Sequence, residues 1–335
     1  MVSKTELQLT LFDKIRVVLP AHVSLVDEVS GILGISNDSA YRRIRNEKQL
    51  HVEEFFLLCR HFRISADELL GIDTSQVYFD YYRLNEKSFS FENYLEAIYV
   101  DLKNLCNQGN PYVYLIFNEL NIFQILLLPL LAGFKFFFWS KSNLGFSDYT
   151  ESLFSADHVS SRIRKLCNDI EQLYIQVPTA EFISTEALSS MLKQLCFYYE
   201  AGFFKSKNDV RMLCDELSEL LRHLKKQAEL GFKFAYGCEP IGIEGSYKLY
   251  LNDLVIVDNT VIAISDKSVS SYITNNVINL LVSHNKDFCE QNLNWANILV
   301  GNSTLISGAA ERDRNRYFKQ MDDQIQQLKE KICAE

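Results

Sequence analysis

SLVDEVSGILGISNDSAYRRIRNEKQLHVEEFFLLCRHFRISADELLG, residues 24–71, decides how the amino-terminal part of this chain folds. Ser24 has the chemistry of an N-cap, and Val26, Val29, Ile32 and Leu33 recur at helical spacing up to Gly34. A glycine at that point adopts the left-handed conformation that ends helices at low cost. Ile35 is the apolar plug of the turn, Ser36 caps the next helix, and Ala40 and Ile44 are its inward residues. The opposite side of that helix carries Asn37, Asp38, Tyr41, Arg42 and Arg45. A helix, a tight turn and a second helix with a polar face have the spacing of a helix-turn-helix, so the outward face is a candidate surface for reading DNA base edges. Two more short helices follow, and the stretch reads as four.

Residues 33–44, LGISNDSAYRRI, resemble the turn and recognition helix of XRE-type regulators, the lambda repressor and Cro class. Residues 55–71, FFLLCRHFRISADELLG, resemble that family's closing pair of helices, and the amino-terminal order is also similar to that of bacterial BetR-type regulators. The resemblance implies a DNA-binding domain of four or five helices over residues 1–72, with double-stranded DNA as partner. Arg42, Arg43, Arg45 and Lys48 form one basic cluster within seven residues, so the candidate DNA-contacting set is Asn37, Asp38, Ser39, Tyr41, Arg42, Arg43, Arg45 and Lys48, with Arg43 either meeting phosphate or lying along the helix pair and Tyr41 either exposed or a buried aromatic. One departure stands out. Many members carry a glycine after the recognition helix, whereas Asn46 and Glu47 follow it here.

The 335 residues are 47 % apolar and 13 % aromatic, enough for large cores in more than one domain. The net charge of -9 argues against coating nucleic acid or an anionic membrane by bulk charge. Residues 1–72 hold nine Lys plus Arg against ten Asp plus Glu, so any DNA contact comes from a local patch and should weaken steeply with salt. The eight cysteines, at 59, 106, 167, 196, 214, 238, 289 and 333, include no CxxC pair and no zinc spacing. Residues 1–30 interleave charges with apolar side chains. No signal peptide is therefore expected, and a cytoplasmic protein with reduced thiols is.

Residues 6–19 place Leu9, Phe12, Ile15, Val18 and Leu19 on one helical face, and Pro20 ends that helix. Residues 73–90 read as a linker. Residues 91–236 read as an all-helical effector domain, with helices over 91–108, 158–176, 185–201 and 209–229 and two buried helices meeting at Pro129. The run of Phe134, Phe136, Phe137, Phe138 and Trp139 is core or the lining of a sensing pocket. The longest unbroken apolar run, residues 125–132, is far short of the roughly 20 a bilayer span needs, so no membrane is expected. Residues 237–335 read as a small α+β segment, with a hairpin turning at Asp258-Asn259 and helices over 275–283 and 286–299. The fold class expected is thus mainly α, with a lambda-repressor-like head and one carboxy-terminal β-hairpin.

No catalytic motif occurs, and the six histidines stand apart from one another, so no enzyme, metal or cofactor is expected. Ser303, Thr304, Ser307, Arg312, Arg314 and Arg316 form a candidate anion or ligand site at a helix start, against the alternative of a plain cap with solvated arginines. Phe318, Met321, Ile325, Leu328 and Ile332 have the a/d spacing of a coiled-coil seam. That seam either docks on its own chain or pairs with a second copy to give a homodimer. The function expected is a sequence-specific DNA-binding transcriptional regulator whose larger part senses a small-molecule or protein effector, or dimerises. The alternative is an interaction module built on the same helices without DNA readout.

Overall fold

The computed structural model describes residues 4–19, 23–62, 64–70, 77–81, 89–155, 160–253 and 259–334. The chain divides into two compact units, a head, Met1–Tyr78, and a body, Phe79–Glu335. Pro20, Asp258 and, of the expected linker, residues 73–76 and 82–88 lie outside the described residues.

Five helices build the head: α1 (Lys4–Val18), α2 (Leu25–Leu33), α3 (Asn37–Ile44), α4 (Val52–Phe62) and α5 (Ala66–Leu69). α2 starts where Ser24 Oγ accepts from the Asp27 N–H at 3.4 Å, and it ends at Gly34 with φ +63°. α3 starts where Ser36 Oγ accepts from the Ser39 N–H at 3.3 Å. The core collects Leu11, Phe12 and Ile15 from α1, Val29 from α2, Ala40 and Ile44 from α3, and Leu58 from α4. Each large side chain among them contributes about 1.5–3 kcal/mol on burial, and this offsets the entropy of ordering helices too short to be stable alone.

The body corrects the expectation of a mainly helical chain with one carboxy-terminal hairpin. It is α+β, built on an eight-stranded mixed sheet in the order β1-β7-β6-β5-β2-β3-β4-β8. The strands are β1 (Asp80–Tyr81), β2 (Tyr112–Ile116), β3 (Thr179–Ile183), β4 (Tyr247–Leu251), β5 (Thr260–Ile264), β6 (Val269–Asn275), β7 (Asn279–Ser283) and β8 (Thr304–Leu305). β2, β3 and β4 run parallel, and every other pairing is antiparallel. The region 91–236 is therefore not all-helical: it supplies β2 and β3, the centre of a sheet completed by β1 and by residues 247–305. YVYLI reads as a short apolar run, indistinguishable in sequence from buried helix, and TAEFI carries polar Thr179 and Glu181 on a strand that is buried at every position.

Two crossovers join the parallel strands. The first contains α7 (Ile122–Leu126), α8 (Pro129–Phe138) and α9 (Ser161–Tyr174), and the second α10 (Ser189–Glu200) and α11 (Lys207–Leu230). With α6 (Phe91–Asn107) and α13 (Glu311–Ala334), these helices cover one face of the sheet. α12 (Lys286–Gly301) packs on the other through Ala296 and Leu299, against Ile116, Phe182 and Ile262.

Among the described residues, the strands on either side of the turn expected at Asp258-Asn259 do not pair with each other. β4 lies beside β3 and β5 beside β2, so the two runs are separated by the parallel pair. The hairpin sits instead between β6 and β7, where a helix over 275–283 was expected, and it turns through Asn276 and Val277 at φ 48° and 74°.

Candidate nucleic-acid interface

α3 divides its residues cleanly between core and solvent. Ala40 and Ile44 enter the head core, while Asn37, Asp38, Tyr41, Arg42 and Arg45 are exposed and Ser39 is half-buried. Steps of three and four residues put that set on one side of the helix. Asn37 Nδ2 donates to Asp27 Oδ1 at 2.8 Å, which ties the start of α3 to α2. The Arg45 guanidinium lies over the Tyr41 ring at 4.5 Å, and its ion pair with Glu47 is long and solvated at 3.9 Å. Tyr41 is 43 % exposed and thus outside the core. Lys48 is exposed in the loop that follows.

Arg43 does not belong with these residues. Only 3 % exposed, it donates through Nε to Glu54 Oε2 at 2.9 Å and through Nη2 to Glu54 Oε1 at 2.6 Å, with Nη1 on the Ser39 carbonyl at 3.1 Å. Its hydrogen bond holds the Glu54 carboxyl below the usual range against the opposing effect of burial. Arg43 is a clamp between α3 and α4, and its place among DNA-contacting residues is withdrawn. Neighbouring arginines on a helix point about 100° apart, so three in four residues cannot share one face.

The loop after α3 is ordered without the glycine. Asn46 takes the left-handed conformation at φ 61°, its N–H bonds the Arg43 carbonyl, and the Glu47 N–H bonds the Arg42 carbonyl at 2.8 Å. That is a Schellman motif with asparagine in the glycine position, a residue that tolerates this conformation.

Gln8 holds the same loop from α1. Its Nε2 donates to the Arg43 and Lys48 carbonyls at 2.8 and 2.9 Å, and its Oε1 accepts from the Leu50 N–H at 2.9 Å. Gln8 is buried, and sequence reasoning passed over it because a polar residue on an amphipathic helix reads as solvated.

The candidate anion site does not assemble. Arg314 is buried and donates to the Ile306 and Gly308 carbonyls at 3.1 and 2.7 Å, while Arg312 and Arg316 are exposed and Arg316 pairs with Asp313. Residues two apart on a helix face opposite sides, so Arg314 turns inward where its neighbours turn out. Ser303 bridges the Leu299 carbonyl and Asn252, and Thr304 pairs with Leu251 in the sheet. Ser307 Oγ accepts from the Leu249 N–H.

The apolar seam of α13 is likewise occupied within the chain. Phe318, Met321, Ile325, Leu328 and Ile332 are all buried in one cluster with Leu213, Leu217, Leu220 and Leu224 of α11. The seam is therefore filled by α11 of its own chain. The aromatic run from Phe134 to Trp139 is core as well.

The body hides one group that its sequence did not signal. Glu181, in the middle of β3, is 1 % exposed, and its Oε1 accepts from Asn121 Nδ2 and from Gln124 Nε2 at 3.0 Å while Oε2 accepts from the Tyr247 hydroxyl. Lys233 donates to the Val177 carbonyl at 2.8 Å and to Thr179 Oγ1 at 2.6 Å, with its ammonium 3.4 Å from the Tyr174 ring centre. Burial pushes the Glu181 carboxyl up, and the Tyr247 hydrogen bond, the Lys233 charge and the two amides pull it back. Burial likewise pushes Lys233 well below its ordinary range. The set links α7, β3, β4 and the segment after α11 through polar groups that each need their partners.

Among the described residues no helix is long and apolar enough to cross a membrane. No protein-family model matches the chain, and no curated protein or solved structure does either.

Proposed function

We propose that the chain is a sequence-specific DNA-binding transcriptional regulator of the bacterial cytoplasm, reading double-stranded DNA with α3. The observation that carries this reading is the exposed face of α3, where Asn37, Asp38, Tyr41, Arg42 and Arg45 stand together on a helix fixed from behind by the Arg43–Glu54 clamp and Gln8. Amide and guanidinium side chains are those that pair with adenine and guanine edges in the major groove, and their precision depends on a rigid support. The resemblance to XRE-type regulators points the same way. The body, with no catalytic arrangement in its sequence, is read as the part that responds to an effector or joins copies of the chain. Selection of bound duplexes from a random DNA library by the purified full chain tests the proposal: it predicts one enriched motif, and recovery of unenriched sequence at every salt concentration refutes it.

A further inference from the structure

Two isoleucines on the body are presented to solvent by a rigid support. Ile241 and Ile243 are 82 % and 79 % exposed. Between them Gly242 lies so close to Phe232 that an added Cβ would stand 2.2 Å from its ring. The ends of this loop are tied down as well: the Gly231 carbonyl accepts from the Gly245 and Tyr247 N–H groups at 3.0 and 2.9 Å, and the Ile243 carbonyl accepts from Ser246. Glu239 and Glu244 flank the pair, both exposed. The loop is an apolar knob between two carboxylates.

A groove of matching character lies elsewhere on the body. Tyr199, Gly202 and Phe204 line it, Lys205 and Lys207 stand exposed on its rim, and its volume is about 430 Å³. The rim carboxylate, Glu200, is already bound by Lys331 at 2.5 Å. Among the described residues neither rim lysine and neither loop glutamate has an ion-pair partner within the chain. Lys207 also lies over the Tyr199 ring, 6.0 Å from its centre, so a seated knob would meet both.

We infer that the Ile241–Ile243 knob of one copy seats in the Tyr199–Phe204 groove of a second copy, with Glu239 and Glu244 against Lys205 and Lys207. Apolar side chains leave water for an aromatic floor, and charges unpaired in the monomer find opposite charges at the rim. The contact is heterologous: knob and groove are different surfaces. Two copies exchange knobs if a two-fold axis relates them, and any other rotation builds a ring or an open chain. The inference is independent of DNA reading, since its test contains no DNA.

Sedimentation equilibrium of the full chain over a concentration series measures it. The wild type is expected to self-associate, and Ile241→Ser with Ile243→Ser to weaken association by about tenfold or more. Glu239→Lys with Glu244→Lys, and separately Lys205→Glu with Lys207→Glu, are each expected to do the same. All four reversals in one chain are expected to restore it, because the charges again oppose. A wild type that stays monomeric, an assembly indifferent to the serine variants, or a fourfold reversal without rescue overturns the inference.

Discussion

The guanidinium of Arg43 grips both carboxylate oxygens of Glu54, at 2.9 and 2.6 Å, and so couples the back of α3 to α4 while Arg42 and Arg45 face outward. Sequence adjacency suggested one basic cluster. The fold splits it into a support and a surface, and the two parts should respond differently to substitution.

Arg43→Ala leaves the half-buried Glu54 carboxylate with the His51 N–H but without its guanidinium partner, a loss of about 1–3 kcal/mol in head stability. Hydrogen exchange on the full chain should show α3 and α4 amides losing protection, whereas Arg42→Ala leaves them within about 0.5 kcal/mol of wild type. Equal protection in the two variants contradicts the assignment of Arg43 as a clamp.

Gln8→Ala removes three hydrogen bonds at once and strands the Leu50 N–H. The expected cost is about 1–3 kcal/mol, concentrated in the loop after α3. Exchange of the Leu50 amide should accelerate before any change at α2, and an unchanged Leu50 rate means the loop is held by other means.

His223 gives the body a pH dependence of known sign. Burial lowers its imidazole from 6.5 to about 4, and the neutral ring accepts at Nε2 from the Gln227 side chain at 2.9 Å. The unfolded chain takes up the proton first as pH falls, so stability is full above about pH 6.5 and declines between there and pH 4, by on the order of 3 kcal/mol. Denaturant unfolding of His223→Gln should lack this part of the slope. A variant with the wild-type slope shows that other groups carry it.

Val277 holds a left-handed conformation, φ 74°, in the turn between β6 and β7. A β-branched side chain is strained there, and 42 % exposure means little packing is forfeited by removing it. Val277→Gly is expected to raise body stability by about 1 kcal/mol in denaturant unfolding. A loss of stability argues that the valine's contacts outweigh its strain.

The head was legible because its signals are local. Ser24, Gly34 and Ser36 act on neighbours within a few residues, and the helical spacing of Ala40 and Ile44 needs no knowledge of distant parts. The sheet was not legible, because TAEFI and YVYLI become strands only through partners far along the chain: Val113 pairs with Thr179, and Thr179 with Tyr247. Glu181 shows the same limit, since nothing nearby in sequence announces that Asn121, Gln124 and Tyr247 will gather around one carboxylate. Within the candidate interface, spacing identified the outward residues. It also set Arg43 apart from that face, but it could not show that Glu54, eleven residues on, would hold its guanidinium.

Whether α3 reads DNA is decided most directly by titrating a selected duplex, at several salt concentrations, with the wild-type chain and with Arg42→Ala and Arg45→Ala. The account predicts a loss of about 1–3 kcal/mol in specific binding for at least one variant, with relaxed preference at particular base pairs and wild-type exchange protection in α4. Equal affinity and equal sequence preference in both variants and the wild type would contradict it, because the exposed face of α3 would then lie outside the groove.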